Sequence, residues 1–217
     1  MNGNYTVNSP QAQFGALLLV LLLALPVPAA AKKVSNAVLA RQLFDRTYQM
    51  VFGPQGASLD YAVNIIGIYK TAGTIWYKGN KAKFVESRYA AWNDARTFYR
   101  VDKKKKTVEI HNPNSKKKDK YASKFEFKPD NYTYSLRSNR AENIISIDAK
   151  DGVDGIKHVK AVLDRQTGYP KSLKIKIAFF WTTVRISHFK PGGIDDGLFI
   201  FPRRQYASYE FIDKRPE

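Results

Sequence analysis

The sequence SLDYAVNIIGIY, residues 58–69, places an apolar side chain at every second position. The apolar positions of its first half are Leu59, Tyr61, Val63 and Ile65. Successive side chains of a β-strand point to opposite faces, so this spacing predicts a strand with one apolar face. Thirteen tyrosines and thirteen phenylalanines in 217 residues also favour β-structure.

Further strand-like segments follow at short, fairly regular intervals, separated by turn residues. They are GTIWYKGNKAKFVES with a turn at Gly79-Asn80, RYAAWND, RTFYRVD, TVEIH, NYTYSLRS, NIISIDA, KHVKAVLD, SLKIKI, TTVRISHF, LFIF and SYEFID. A short helix is predicted within residues 119–127, in the longest stretch without a strand pattern. Strands in this order predict an antiparallel meander that forms a curved sheet or a barrel.

An amphipathic helix precedes the strands, in SNAVLARQLFDRTYQMVFG, residues 35–53. Ser35 or Asn36 is suited to cap its first turn, and Gly53 with the proline that follows ends it. Three- and four-residue spacing predicts one apolar stripe along the helix. The stripe consists of Leu39, Leu43, Phe44, Tyr48 and Val51.

The N-terminus resembles a secretory signal peptide. The apolar run GALLLVLLLAL, residues 15–25, is followed by small residues that include Ala29 and Ala31. We therefore expect cleavage after about Ala31, which divides the chain into a signal peptide over residues 1–31 and a domain over residues 32–217. The alternative is an uncleaved membrane anchor, but the run is shorter than the ~20 residues that a spanning helix needs.

The composition excludes several classes of function. The chain has no cysteine, so disulfides, a thiol nucleophile and thiolate metal sites are excluded. The sequence shows no HExxH, GxSxG or GxxxxGK pattern, and His111, His158 and His188 are far apart in strand-like segments. We therefore predict no enzyme activity, no metal site and no cofactor.

A net charge of +17 predicts attraction to anions. Lys103, Lys104, Lys105 and Lys106 lie between two predicted strands, so they form the tip of a hairpin. One interpretation is a solvated turn that discourages edge aggregation. The other joins them to a second cluster, in a patch for an anionic membrane or an acidic partner; that cluster is Lys116, Lys117, Lys118 and Lys120. A nucleic-acid role is disfavoured because no recognition motif accompanies the charge.

The segment AFFWTT, residues 178–183, allows two interpretations. Residues 171–189 form either one long bent strand, with Phe179 and Trp181 inside, or a hairpin with aromatic residues at its tip. We expect the long strand, in which Phe179 and Trp181 continue the face of Leu173, Ile175 and Ile177. A hairpin would present these rings to a membrane interface or a partner.

The order of these segments resembles the LolA-like family of periplasmic carriers of outer-membrane lipoproteins. The resemblance covers nearly all of residues 32–217 and depends on several modest motifs. They are the GTIWYKGNKAKF hairpin, AAWNDARTFYRVDKKKKTVEI, an Asp-x-x-Thr-x-x-Pro turn at Asp164, Thr167 and Pro170, and a Phe-x-Phe strand at Phe199 and Phe201.

The resemblance implies a mainly β fold with a helical lid (α+β). Its curved antiparallel sheet would form an incomplete β-barrel covered by one or more helices, around an apolar cavity for acyl chains. The cavity residues chosen by alternation are Leu59, Tyr61, Val63, Trp76, Phe84, Trp92, Phe98, Leu173, Ile175 and Ile177. A slip of one residue in any strand would turn its set to the other face.

The resemblance further implies a monomeric periplasmic carrier, without enzyme activity, that takes lipoproteins or a related lipid from an inner-membrane donor to an outer-membrane acceptor. One feature departs from the family: the early hairpin has no arginine to hold the lid, and Lys78 and Lys81 are the available substitutes. The alternative function is a basic binding module that docks on an anionic surface or protein through its lysine clusters, without lipid carriage.

Overall fold

A computed structural model describes residues 34–65, 69–115, 128–177 and 179–215. The predicted signal peptide and its cleavage site lie outside these ranges. So do the predicted helix within residues 119–127 and the cluster of Lys116, Lys117, Lys118 and Lys120.

The predicted helix, α1, spans Asn36–Phe52. The Ser35 side chain caps its first turn by accepting a hydrogen bond from the Val38 N–H at 3.3 Å. The helix ends at Gly53, whose N–H donates to the Gln49 carbonyl at 2.9 Å. A side chain at Gly53 would overlap that carbonyl, which explains why glycine suits this position.

Within the described ranges, twelve strands follow the helix and form a single sheet. The strands are β1 Ala57–Ile65, β2 Tyr69–Lys78, β3 Lys81–Glu86, β4 Tyr89–Asn93, β5 Phe98–Asp102, β6 Thr107–His111, β7 Tyr132–Ser138, β8 Glu142–Ala149, β9 His158–Asp164, β10 Pro170–Ile177, β11 Phe180–Pro191 and β12 Glu210–Asp213. Short 3-10 helices occupy Pro129–Asn131, Asp196–Phe199 and Arg203–Tyr206.

The order of strands across the sheet is β12-β6-β5-β4-β3-β2-β1-β11-β10-β9-β8-β7. Two antiparallel meanders, β1–β6 and β7–β11, are therefore joined where β1 pairs with β11. The edges are β12 and β7, so the sheet is open, and the predicted mainly β, curved and incomplete barrel is confirmed. The prediction of a purely antiparallel sheet is wrong at one edge, because β12 returns to pair with β6 in parallel.

The described part of the chain forms two hydrophobic cores, and they lie on opposite faces of the sheet. One core packs Ala40 of α1 against the sheet; its strand residues are Tyr132, Tyr134, Ile145, Ile147, Ala161 and Leu163. The other core is formed by Ala90, Trp92, Val101 and Val108. We call the side that carries α1 the helix face and the other side the second face.

Cross-strand register shows that these faces are opposite, because directly paired residues point to the same side of a sheet. Ala161 pairs with Leu173, Leu173 with Val184, and Val184 with Val63, which carries the helix face into β1. Leu59, four residues before Val63 in β1, also lies on the helix face. The pairs Leu59–Ile75, Ile75–Phe84 and Phe84–Ala91 then place Ile75, Phe84 and Ala91 on the helix face as well. The neighbours of Ala91 in β4, Ala90 and Trp92, therefore point to the second face.

The segment after β11 covers the second core. Phe201 stacks on Tyr99 with ring centroids 4.3 Å apart, and Tyr206 stacks on Phe201 at 5.4 Å. The prediction of a strand at LFIF, with Phe199 and Phe201 as its Phe-x-Phe motif, is wrong. Asp195 accepts a hydrogen bond from the Gly197 N–H at 2.7 Å and starts the 3-10 helix Asp196–Phe199. Pro202, without an N–H, also disfavours a strand there.

The AFFWTT segment is a hairpin, so the expectation of one long strand is wrong. β10 ends at Ile177 and β11 begins at Phe180, with Ile177 paired to Phe180 and Lys176 to Trp181. The chain reverses here because β11 pairs with β10 on one side and β1 on the other. Phe179 and Trp181 are exposed rather than inside.

Asn36 ties the start of α1 to the edge strand β7. Its Nδ2 donates to the Leu136 carbonyl and its Oδ1 accepts from the Leu136 N–H, both at 2.8 Å. We expect Asn36→Ala to lower the free energy of unfolding by about 1 kcal/mol, measured by urea denaturation. Asn114→Ala, in an exposed turn, is the matched control. Equal stability of the two variants would contradict this role.

Candidate apolar binding face

The structure distributes the ten predicted cavity residues over both faces of the sheet. Eight lie on the helix face: Leu59, Tyr61, Val63, Phe84, Phe98, Leu173, Ile175 and Ile177. Trp76 and Trp92 lie on the second face, where both flank Lys83 in the cross-strand register. Placing them in one cavity with the other eight is therefore wrong, and the strand phase in β2 and β4 is the cause.

An apolar strip runs over the middle strands of the helix face, between the two cores. We define it by half-buried side chains from five strands, which are Tyr61, Val63, Ile75, Phe84, Leu173, Ile175, Ile177, Val184 and Ile186. Register places Leu173, Val184 and Val63 in one row, with Ile186 and Tyr61 in the next. Ile75, Val184 and Ile186 are not among the ten predicted cavity residues, although alternation within their own strands indicates them.

Helix α1 crosses the helix face over this strip, from β7 to β2, and a series of aromatic rings lies along it. Phe44 contacts Tyr134 of β7 with ring centroids 5.3 Å apart, and Phe52 contacts Tyr77 of β2 at 4.7 Å. Tyr48 lies between them on the helix, 5.9 Å from Phe44 and 4.7 Å from Phe52. The helix therefore reaches from the edge of the sheet to the middle of the first meander.

Burial raises the pKa of Tyr77 to about 12. It also raises the pKa of Tyr134 to about 12, and the Tyr134 hydroxyl donates to the Pro129 carbonyl at 2.8 Å. Both phenols therefore remain neutral at physiological pH, and this face gains no negative charge from them.

The buried side of α1 differs from the predicted stripe. Ala40, Thr47 and Val51 are buried, and Leu43 and Phe44 pack partly against the core. Leu39 and Tyr48 are exposed, so the stripe prediction is wrong for these two. The small Ala40 lets the helix approach the sheet closely, and Thr47 donates to the Leu43 and Gly168 carbonyls at 3.0 and 3.4 Å.

Both ends of α1 are attached to the sheet. Near its start, Asn36 is bonded to Leu136 of β7, and Arg41 forms an ion pair at 2.9 Å with Asp130, in the turn before β7. At its end, the Gly53 carbonyl accepts a hydrogen bond from the Gly79 N–H at 3.3 Å, in the β2–β3 turn. The helix is therefore bonded to the sheet on both sides of the apolar strip, at β7 and at the β2–β3 turn.

Lys78 and Lys81 do not hold the helix. Lys78 Nζ donates to the Ile194 carbonyl at 2.9 Å and lies 3.2 Å from Asp196 Oδ2. Lys81 Nζ lies 2.8 Å from Asp196 Oδ1, and the bonds from Lys81 and Lys78 lower the pKa of Asp196. The lysines of the early hairpin therefore hold the segment after β11, not α1, and the idea that they replace the lid arginine is not supported by their contacts.

One carboxylate lies beside the strip, at the end of β3. Glu86 is buried, pairs across the strands with Gly73 and accepts a hydrogen bond from the Tyr61 hydroxyl. A Cβ at Gly73 would lie 2.5 Å from the Val85 carbonyl oxygen and 3.0 Å from Glu86 Cγ. Glycine therefore leaves room for this carboxylate, which sequence analysis did not identify.

The second face of the same middle strands is polar. A cavity of 810 Å³ opens there. Its lining combines polar residues, among them Asp60, Thr74, Arg185 and Ser187, with Tyr61, Ala62, Ala72 and Ile186. A cavity of 310 Å³ lies farther along, beside Lys160 and Lys174. An apolar ligand would therefore find its matching surface on the helix face.

The lysine turn is confirmed as the tip of the β5–β6 hairpin, but its four lysines differ in their exposure to solvent. Asp102 Oδ1 accepts from the backbone N–H groups of Lys104 and Lys105, both at 3.0 Å. Burial opposes ionisation of Asp102, yet these bonds and Arg88 lower its pKa overall. Lys103 Nζ donates to the Glu86 carbonyl at 2.5 Å, so only Lys104, Lys105 and Lys106 point freely into solvent.

The histidines are separate, each beside a carboxylate. His111 is buried 3.1 Å from Glu109, His158 lies 2.7 Å from Asp148, and His188 lies 2.8 Å from Asp60. Within the described ranges, no group of three or more His, Cys, Asp or Glu residues is placed to hold a metal ion. In the same part of the chain, no helix is long and apolar enough to span a membrane.

Comparison with known proteins supports the architecture. No family model matches the sequence, and no curated protein matches it. An uncharacterized conserved protein from Thermus thermophilus superposes with a TM-score of 0.55 at 7% identity, covering 81% of this chain and 99% of that one. This likeness is one of fold alone.

The solved structures that match also include LolA superfamily members, as the sequence resemblance predicts. A LolA superfamily protein from Nitrosomonas europaea gives a TM-score of 0.38 at 9% identity, with 76% and 98% of the two chains covered. A putative outer membrane lipoprotein-sorting protein domain from Vibrio parahaemolyticus gives 0.41 at 10%, with 79% and 99% covered. These two superpositions are loose and carry nothing about function.

Proposed function

We propose that this protein is a periplasmic carrier that binds the acyl chains of a lipoprotein or a related lipid on the apolar strip under α1. The observation that carries the proposal is the half-buried apolar strip, with a helix tied across it and a polar face behind it. A helix held at its two ends over an apolar surface can cover a ligand without contributing a reactive group.

The energy of such binding is adequate for a carrier. Each buried CH₂ contributes about 0.8 kcal/mol, so a C16 chain with half of its carbons covered gains about 6 kcal/mol. Part of this gain offsets the loss of translational and rotational freedom. Moderate affinity of this kind permits both uptake from a donor and release to an acceptor.

The proposal includes the cellular setting that the sequence indicates. The apolar N-terminal run directs the protein to the periplasm, where it works as a monomer without enzyme activity. An inner-membrane donor complex loads it, and an outer-membrane acceptor receives the cargo. Its role is then delivery of lipid or lipoprotein to the outer membrane.

The direct test is to express the full chain in a Gram-negative host, purify it without detergent and analyse its extracted lipids by mass spectrometry. We expect acyl lipid in the extract at a fixed molar ratio to protein. A fluorescent C16 fatty acid should bind the delipidated protein. Absence of acyl lipid together with absence of probe binding would overturn the proposal.

A charge in the strip should block binding. Ile175 points to the helix face, opposite Val159 and Thr182. We expect Ile175→Glu to weaken binding of the fluorescent C16 fatty acid at least about tenfold, because covering an unpaired carboxylate is costly. Fluorescence titration of the delipidated protein measures the change.

Thr183→Glu is the matched control. Thr183 lies on the second face of the adjacent strand, opposite Lys174, and the substitution adds the same charge. It should leave probe affinity unchanged within about twofold, since it lies outside the strip. Circular dichroism melting of both variants separates a binding defect from unfolding. Equal weakening by both variants would argue against the helix-face site.

A further inference from the structure

Three consecutive aromatic side chains are exposed at the tip of the β10–β11 hairpin. Phe179 is 94% exposed, Phe180 50% and Trp181 42%. Soluble proteins commonly place polar or glycine residues in such a turn, and a projecting group of aromatic rings indicates an interaction site. The proposed acyl-binding function does not require this feature, because the apolar strip lies within the sheet.

Basic side chains flank the tip on the second face. Lys176 pairs across the strands with Trp181, and Lys160 Nζ lies 4.8 Å from the centre of the Trp181 ring. Lys174 pairs with Lys160 in the next row. The hairpin therefore ends in rings and carries a short basic flank directly behind them.

The helix face of the same hairpin is apolar up to its tip. Ile177 pairs with Phe180, and Ile175, two residues before Ile177 in β10, points to the same face. The apolar strip thus continues to the exposed rings, while the lysines occupy the opposite face. This division is the one that an element at a lipid–water boundary requires, with apolar groups towards the acyl region and cations towards headgroups.

The rest of the molecule adds charge at the same end of the sheet. Because every pair from β11 to β6 is antiparallel, the β5–β6 turn lies at the same end of the strands as the β10–β11 turn. That turn exposes Lys104, Lys105 and Lys106. Asp151 and Asp154 also lie in a loop at this end, but the whole chain carries +17.

We propose that the β10–β11 tip docks this protein on an anionic phospholipid bilayer. Phe179, Phe180 and Trp181 enter the interfacial layer, where aromatic rings are favoured, while Lys174 and Lys176 contact lipid phosphates. An anionic bilayer fits this tip by charge complementarity, because the aromatic rings have a basic flank and the whole protein is strongly basic. The docking stands independently of whether the apolar strip carries a lipid.

The test is co-sedimentation of the full chain with vesicles of phosphatidylcholine containing phosphatidylglycerol, compared with phosphatidylcholine alone. We expect Phe179→Ser to lower the partition coefficient about tenfold, since the ring is lost from the interface. Its control is Ile200→Ser, which removes another exposed apolar side chain, 69% exposed, elsewhere on the surface. Both variants keep residues 15–25, so binding through that apolar run cancels in the comparison.

The charges need a separate test with the same vesicles. The double variant Lys174→Gln, Lys176→Gln should bind anionic vesicles at least about fivefold more weakly, with the difference shrinking at high salt. Arg96→Gln with Arg140→Gln removes the same charge from exposed turns at the opposite end of the sheet and should have a smaller effect. Equal effects of the two pairs would contradict docking by this tip.

Fluorescence supplies an independent readout. Anionic vesicles should shift the emission of the full chain to shorter wavelength. Trp181→Phe should remove that shift, because Trp92 is buried and both Trp76 and Trp92 lie near the opposite end of the sheet from the tip. Phe179→Ser that binds vesicles like the unsubstituted protein would overturn the proposal. Failure of the unsubstituted protein to bind anionic vesicles would also overturn it, and would assign the tip to a protein partner.

Discussion

Trp92→Ala should lower the free energy of unfolding by about 3–5 kcal/mol. Trp92 is 4% exposed, and its ring packs edge-on against Phe201 at 5.4 Å and Tyr206 at 5.9 Å. Removing it leaves a cavity beneath the segment that follows β11 and detaches that segment from the sheet. Urea denaturation monitored by far-ultraviolet circular dichroism measures the loss.

Trp181→Ala is the control for Trp92→Ala, because it deletes the same side chain from an exposed position. Its effect on unfolding should stay below about 1 kcal/mol. The affinity of folded Trp92→Ala for the fluorescent C16 fatty acid should remain within about twofold of the unsubstituted protein. A variant that keeps its stability and loses probe binding would place Trp92 in the ligand site, contrary to its second-face position.

Gly56→Ala should cost about 3 kcal/mol or more of folding stability. Gly56 connects α1 to β1 with φ of +68°, in the left-handed region that favours glycine. An added Cβ would overlap the Tyr77 carbonyl oxygen and lie 3.0 Å from Ile194 Cγ1. The Gly56 carbonyl also accepts from the Gly192 N–H at 2.7 Å, so the backbone has little freedom to adjust.

Gly152→Ala separates the backbone strain from the steric overlap. Gly152 has φ of +77°, but nothing lies within 4 Å of a Cβ built there. This variant should lose only about 1 kcal/mol, the cost of the left-handed conformation alone. Thermal and urea unfolding of both variants measure the difference. Equal losses of stability in the two variants would show that the close contact between Gly56 and β2 does not add to the cost of an alanine there.

Local patterns predicted the elements of the fold well. Ser35 and Gly53 bound α1 as capping and stop signals predict. Gly79 and the β5–β6 lysines lie in turns because alternating strands flank them on both sides. These signals act within a few residues, so the sequence contains them without reference to the rest of the chain.

The structure differs from the prediction in two segments, LFIF and AFFWTT, and contacts with the rest of the fold contribute to both. LFIF has the composition of a strand, but Asp195 and Pro202 favour a turn, and burial of Phe199 holds it. The AFFWTT segment reverses because β11 has partners on both sides. The LFIF outcome thus has local signals in Asp195 and Pro202, whereas the reversal at AFFWTT involves pairing with β1, which is distant in sequence.

Sequence patterns also predicted the candidate binding face only in part. Alternation correctly grouped Leu173 with Ile175, and Tyr61 with Val63, because side chains two residues apart in a strand share a face. It did not show that Trp76 and Trp92 face away from that group. Their strands carry apolar residues on both sides, as Ala90 and Ala91 in β4 show, so the pattern has no unique phase there.

The sequence by itself determined the helix, the strand segments, most of the turns and the absence of thiol chemistry, because capping, side-chain periodicity and composition are local properties. The tertiary structure decided which face each apolar set occupies, which surface remains available to a ligand and where the aromatic tip projects. The physical reason is that one open sheet buries opposite faces at its two ends: α1 covers one face beside β7, and the segment after β11 covers the other beside β4–β6.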